Sequence, residues 1–215
     1  MAIGPTLQEG RGFSFRTADF PKDELVVRSF EGRCSLSRPY DFRIRLVSLT
    51  KMADGAKTLH RPAVLRIKQP VGMPPQGGGK TPPVVTTSIH GMIISVLHSD
   101  NGPTGRFFEV QLVPKIWLIS LQSGNRVFQG KTVPQIVEEV LKSHGLVAGK
   151  KPGDGGDYFF KLGSGRTYPV REYVLQYQES DLQFIQRLLE HEGIFYYFDH
   201  TGDAEMVIFG DAPAD

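Results

Sequence analysis

Along the first half of the chain apolar and polar residues alternate, and a period of two marks strands with one buried face. The clearest run is Tyr40–Leu49, with Tyr40, Phe42, Ile44 and Leu46 on one side and Asp41, Arg43 and Arg45 on the other. Ala63–Lys68 alternates as well, setting Leu65 and Ile67 against Arg66 and Lys68. Leu25–Phe30, ended by Glu31-Gly32, is a further strand. So are Val84–Leu97 and Phe107–Val113, joined through a turn at Asp100-Asn101-Gly102-Pro103. Met1–Phe20 predicts a short strand or a loose arm. Gln69–Pro83 (QPVGMPPQGGGKTPP) keeps neither period and predicts a mobile surface loop inserted in a hairpin. With almost no helix signal before Lys115, these strands predict a small antiparallel barrel or sandwich.

After Pro114 the pattern changes. Ile116–Leu121 is an apolar segment whose Trp117 is expected to anchor the core. Arg126–Gln129 is a short strand. Thr132 then offers a helix N-cap, with Pro134 in the first turn and Gln135 completing a capping box. Val133, Ile136, Val137, Val140 and Leu141 form that helix's apolar face, Glu138 and Lys142 an exposed i,i+4 pair, and Gly145 its end. Gly149–Gly156 is a second loop leading to Tyr158–Leu162.

Arg171–His200 reads as strand, helix, strand. Tyr173, Leu175 and Tyr177 are expected on the buried face of the first strand, with Gln176 and Gln178 on the other. Ser180 is the N-cap of the helix and Gln183 its capping-box partner. Leu182, Ile185, Leu188 and Leu189 make one stripe, Gln186 lies outside it, and Gly193 ends the helix in a left-handed turn. Ile194–Phe198 is too apolar for a one-sided surface strand, so it is expected to be covered on both faces or to lie at a subunit contact. Met206–Phe209 should pair back on it across Thr201-Gly202-Asp203.

At 215 residues the chain holds one large or two small domains. The formal charge of +2 is spread without a basic run, so nothing points to nucleic acid. Cys34 stands alone, which excludes an intrachain disulfide and a cysteine metal cluster. The N-terminus lacks a basic segment followed by an apolar one, so no signal peptide is expected. No apolar run reaches the ~18–20 residues that span a bilayer, so no stable membrane insertion is expected either.

Chemistry is sparse. Gly77-Gly78-Gly79-Lys80-Thr81 ends like a phosphate-binding loop, but Pro74 replaces the first glycine, and Pro82-Pro83 forbid the following helix. Gly153-Asp154-Gly155-Gly156-Asp157 has calcium-type oxygens without the closing glutamate, and a solvated turn explains it. The histidines, at positions 60, 90, 98, 144, 191 and 200, show no metal-ligand spacing. Glu190 and Glu192, two apart on a helix, do not face each other, and Glu179 completes no pair with them. No catalytic residue, cofactor site or metal site is expected, and the chain is not expected to be an enzyme.

The stretch REYVLQYQESDLQFIQRLLEHEGIFYYF resembles the signature of VgrG, the spike family of bacterial type VI secretion, whose N-terminal region is similar to contractile phage tail hubs. VPKIWLISLQSGNRVFQGKTVPQIVEEVLKSHG (Val113–Gly145) and His90-Gly91 match further family blocks, so the resemblance covers most of Leu25–Gly210. It implies a mainly β, α+β fold of small antiparallel tube-type barrels with two short helices packed on them. The first barrel would span residues 1–114, and residues 115–215 would begin an incomplete second one. It further implies a homotrimer that caps a hexameric tube protein and carries effector or adaptor proteins. Such a spike is assembled in the cytoplasm and secreted through the apparatus. A phage or phage-like tail hub is the alternative. Phe195, Tyr196, Tyr197 and Phe198 place two aromatics on each face of one strand: burial between helix and core explains them, and the resemblance raises the alternative that one face is a subunit contact.

Overall fold

The alternating segments of the N-terminal half become six strands in the computed structural model, which describes residues 12–20, 24–48, 55–70, 84–102 and 105–212. They are β1 (Phe13–Thr17), β2 (Leu25–Ser35), β3 (Arg38–Ser48), β4 (Pro62–Pro70), β5 (Val84–Gly102) and β6 (Gly105–Val113). They make one sheet in the order β1-β4-β5-β6-β3-β2. β4 runs antiparallel to β1 and β5, and β3 antiparallel to β6. The two edge strands are not far apart: Phe13 on β1 and Phe30 on β2 meet edge to face at 5.1 Å between ring centroids. The sheet is therefore curled into a half-barrel, as the right-handed twist of strands allows. Residues 71–83, which hold most of the expected Gly/Pro loop and its phosphate-loop-like end, lie outside the described residues.

Register explains which side chains share a face. Phe42, Ile44 and Leu46 stand opposite Leu112, Val110 and Phe108, and all six are buried. One residue along, Arg45 faces Glu109 on the other surface and pairs with it at 2.9 Å. Cross-strand pairs of this kind fix register, since a one-residue slip would turn the arginines inward.

The chain forms two compact units, Met1–Glu31 with Phe42–Leu112, and Gly32–Asp41 with Val113–Asp215. The tip of the β2–β3 hairpin thus belongs to the second unit. β2 does not end at Glu31-Gly32 as expected but continues to Ser35, which supplies that tip.

The second unit follows a 3-10 turn, Lys115–Leu121, with β7 (Ser123–Lys131), α1 (Val133–Ser143), β8 (Tyr158–Lys161), β9 (Arg171–Ser180), α2 (Asp181–Glu192), β10 (Phe195–Asp199) and β11 (Met206–Gly210). β11 lies between β10 and β8, antiparallel to the first and parallel to the second. β7 and β9 form a separate antiparallel ribbon. The two helices present their stripes to a common core that includes Ile136, Val137, Val140, Leu141, Ile185 and Leu189, with Phe128 and Tyr196 from the strands. Trp117 does not anchor this core: it is half-buried, and Ile116 and Ile119 on the same turn are the buried residues. A seven-residue 3-10 turn points only part of its surface inward, and the smaller isoleucines take those positions.

Candidate interaction site

α2 begins where its capping residues place it. Ser180 N donates to Gln183 Oε1 (3.0 Å), and Gln183 N donates to Ser180 Oγ (3.2 Å). Leu182, Phe184, Ile185, Leu188 and Leu189 are buried, and Gly193 closes the helix at φ 68°. Phe184, absent from the expected stripe, stacks on Phe128 at 5.4 Å.

The first helical residue, Asp181, is only 1% exposed. Its carboxylate accepts from Gln176 Nε2 (2.7 Å), from His144 Nε2 (2.6 Å) and from Arg126 Nη2. Gln176 is itself fully buried and accepts from Arg126 Nε (2.8 Å). Four elements are therefore tied at one carboxylate: β7, the end of α1, β9 and the start of α2. Burial pushes the Asp181 carboxyl up, but the hydrogen bonds from Gln176 and His144 and the Arg126 charge outweigh it. The group is held below the usual carboxylate range. A fixed anion of this kind joins elements; it has no proton to give at neutral pH.

Gln176 also reverses the expected orientation of β9. Tyr173, Leu175 and Tyr177 are 56%, 42% and 60% exposed, while the inward face carries Val174 and Gln176. Val127, directly opposite Leu175 on β7, is exposed with them. The polar residue turns in because the buried Asp181 carboxylate requires its amide N–H. The outer surface of the ribbon is thus apolar and open among the described residues.

β10 is an edge strand. Tyr196 is 1% exposed, its hydroxyl accepting from Gln186 Nε2 (2.7 Å), and burial pushes its phenol up to about 12. Its main chain meets the hairpin tip, Ser37 N donating to Tyr196 O (2.8 Å). Gln186 also reaches Ser37 O (3.4 Å), so it is a link and not an idle surface residue. Phe195, Tyr197 and Phe198 are half-buried. Phe198 packs on Tyr40 at 4.9 Å, while Phe195 and Tyr197 share the other face and stack at 6.4 Å.

Several other titratable residues are engaged elsewhere in the fold. Glu179 pairs with Arg187 and Glu192 with Arg171. Asp154 accepts from the amides of Lys150, Lys151 and Gly156, so the glycine-rich segment is a side-chain-closed turn. Glu205, whose carboxyl is raised chiefly by burial, accepts from Lys115 N (2.7 Å). His144 sits on Asp181, and His191 contacts Arg171 at 3.0 Å. Among the described residues no three His, Cys, Asp or Glu side chains converge as metal ligands. No described helix is long and apolar enough to cross a membrane.

The cluster at Asp181 escapes sequence reading, since an acid just after an N-cap resembles an ordinary partner of the helix dipole. Arg126 and His144 lie 55 and 37 residues away. No local signal marks it, since Gln176 takes a polar place in an alternating strand.

Comparison with known proteins gives concordant findings. Residues 33–215 match the family described as "Phage tail baseplate hub (GPD)". The type VI secretion system spike protein VgrG4b of Pseudomonas aeruginosa is 37% identical over 190 residues, 88% of this chain and 20% of that protein. Spike protein VgrG5 of the same organism is 34% identical over 199 residues, 93% of this chain and 22% of that protein. The chain thus spans about a fifth of the length of these relatives. Among solved structures, the E. coli c3393 protein superposes with a TM-score of 0.69 at 29% identity, over 93% of this chain and 48% of that one. That protein is described as a type VI secretion component structurally similar to the T4 bacteriophage tail proteins gp27 and gp5.

Proposed function

The chain belongs to the phage tail baseplate hub family, and on that premise we propose that it forms the hub portion of a type VI secretion spike. The observation that carries this reading is the 37% and 34% identity to two spike proteins over about nine-tenths of the chain. The architecture is consistent with a mechanical part: a curled antiparallel sheet, a helix-braced second unit, and carboxylates engaged in holding elements together. In this reading the chain assembles as a homotrimer, meets a hexameric tube protein, and carries effector or adaptor proteins when it is expelled. It has no catalytic role of its own, and it leaves the cell through the apparatus. Residues 115–215 form a second α+β domain whose subunit contact uses β10. Phe195 and Tyr197 offer the contact, because Tyr196 already fills the core of its own unit.

The test is genetic. Removing the coding sequence from its bacterium should stop release of the tube protein into the medium, and supplying it again should restore release. Undiminished release would sink the reading. Loss of infectious or tailed particles with normal secretion would move the chain to a phage-like machine, the alternative that the family description itself allows. Light scattering on the purified chain and a Tyr197→Lys variant tests the seam separately, with loss of trimer mass and unchanged circular dichroism as the expected result.

A further inference from the structure

The outer face of the first unit's sheet is neutralised in one part and not in another. On β3 and β6 the outward Arg45 is paired with Glu109 at 2.9 Å. β1, β4 and β5 are successive neighbours, and they carry no acidic residue over Phe13–Thr17, Pro62–Pro70 and residues 84–98. Register fixes which of their residues face outward. Phe15, Leu65 and Ile89 are aligned and buried, so the residues one step along point the other way. Ser14, Arg66 and Ser88 form one outward row, with Lys68 and Thr86 in the row to one side of it. In the row to the other side β4 carries the apolar Val64, and the cation is Arg16 of β1.

Successive rows therefore hold one fixed positive charge each, and alternate residues of a strand lie about 7 Å apart. Among the described residues none of Arg16, Arg66 and Lys68 has a carboxylate partner, and Asp19, on the turn after β1, is taken by Arg61 at 3.6 Å. Lys68 is exposed and Arg66 half-buried. Arg16 is half-buried too, and its Nε is shut off from solvent with no hydrogen-bond partner among the described residues. A guanidinium that has lost part of its hydration without gaining an anion is destabilised, and an incoming carboxylate relieves it. The hydroxyls of Ser14, Ser88 and Thr86 stand in the same rows and can donate to that anion.

We propose that the outer face of β1, β4 and β5 is a docking surface for an extended acidic segment of another protein, with a carboxylate at every second residue. Laid along β4, such a segment repeats at about 7 Å and sets successive carboxylates against Lys68, Arg66 and Arg16. The sign of the face selects the partner, since a basic segment would place like charges together and a neutral one would leave Arg16 uncompensated. A peptide fits better than a nucleic acid strand, because no Phe, Tyr or Trp stands in these rows to stack a base. Exposed ion pairs are weak one at a time, so the fit requires all three rows, and it weakens with salt. This inference stands apart from the secretion reading, because the charge of the face does not depend on any particular machine.

The probe is a synthetic peptide of alternating Glu and Thr, compared with a Lys/Thr peptide and a single-stranded oligothymidylate of the same length, each added to the full 215-residue chain. Fluorescence anisotropy at low salt should show the Glu/Thr peptide binding at least about tenfold more tightly than either. Its addition should shift the NMR amide signals of Ser14, Arg66 and Ser88, a readout on the unaltered chain that stands even where a variant fails to fold. Lys68→Glu, at an exposed position, should weaken the Glu/Thr peptide several-fold without altering circular dichroism. The double variant Arg66→Glu, Lys68→Glu should take the Lys/Thr peptide in its place. Arg43→Glu, exposed on β3, changes the net charge as much as Lys68→Glu does and should leave binding unchanged. Equal binding of both peptides, tighter binding of the oligothymidylate, shifts elsewhere, an equal loss in Arg43→Glu, or no binding of the Glu/Thr peptide overturns the proposal. Concentration-dependent shifts of the same amides without peptide also overturn it, since a second copy would then be the occupant.

Discussion

β3 and β9 are similar strands, eleven and ten residues long, and their surroundings differ in one respect that decides everything else. β3 lies inside a six-stranded sheet, between β6 and β2, and buries Phe42, Ile44 and Leu46. β9 belongs to a two-stranded ribbon and buries Gln176, leaving Tyr173, Leu175 and Tyr177 outside. A two-stranded ribbon has little sheet of its own to hold it and depends on what it packs against. Here that support is an anion, Asp181, and the ribbon turns the face that can hydrogen-bond to it. Alternation sets the period of a strand. The neighbour sets which face goes in.

The core of the first unit carries the largest expected effect. Ile44→Ala, at a fully buried position, should lower the unfolding free energy by about 2–5 kcal/mol. The denaturant midpoint should fall without a change of slope. Asp181→Ala should cost about 3 kcal/mol, the lower end for breaking a buried pair, because Arg126 keeps 32% side-chain exposure and can turn to water. A loss under about 0.5 kcal/mol would show that the ribbon is held by its apolar contacts alone. Gln176→Ala should cost about 1–3 kcal/mol, since it leaves Arg126 and Asp181 short of a partner. At the small end, Leu175→Ser should stay within about 0.5 kcal/mol, where Leu46→Ser on β3 would be severe.

Acid gives a further test with a definite sign. The Asp181 carboxyl is depressed in the folded chain, so its contribution is complete above the unfolded value of about 3.9 and is lost as pH falls below it. Thermal melts between pH 5 and pH 2 should show this limb, and Asp181→Asn should flatten it. An unchanged limb in the variant would assign acid sensitivity to other carboxylates.

Much of the second unit is legible from residue order. Both capping boxes, the helix ends at Gly145 and Gly193, and the Glu138–Lys142 pair at 2.8 Å arise from contacts a few residues apart. The pairing of β10 with β11 is equally local. What could not be read depends on distant partners. Gln186 lies off the α2 stripe and yet bridges Tyr196 to Ser37, 149 residues away. Trp117, the single tryptophan, stays half-buried because a 3-10 turn directs its isoleucines inward. Of the aromatic strand, alternation alone assigns Tyr196 and Phe198 to one face, but only the position of Gln186 and Tyr40 shows which face that is.

The parallel pairing of β8 with β11 sets a timetable for synthesis. β11 is the middle strand of its sheet, all five of its residues are buried, and it begins about 45 residues after β8 ends. At ~5–20 residues per second, β8 waits roughly 2–9 s on the ribosome before its neighbour emerges. During that interval Tyr158 and Phe160 lack the strand that later covers them, with Phe160 destined to stack on Phe209 at 4.8 Å. α1 can coil as soon as it leaves the exit tunnel, but the core it faces closes only when β11 threads between two strands already made. The nascent chain is therefore most exposed to chaperone capture between Lys161 and Met206, and slowing translation across that window should lengthen its stay on such a chaperone.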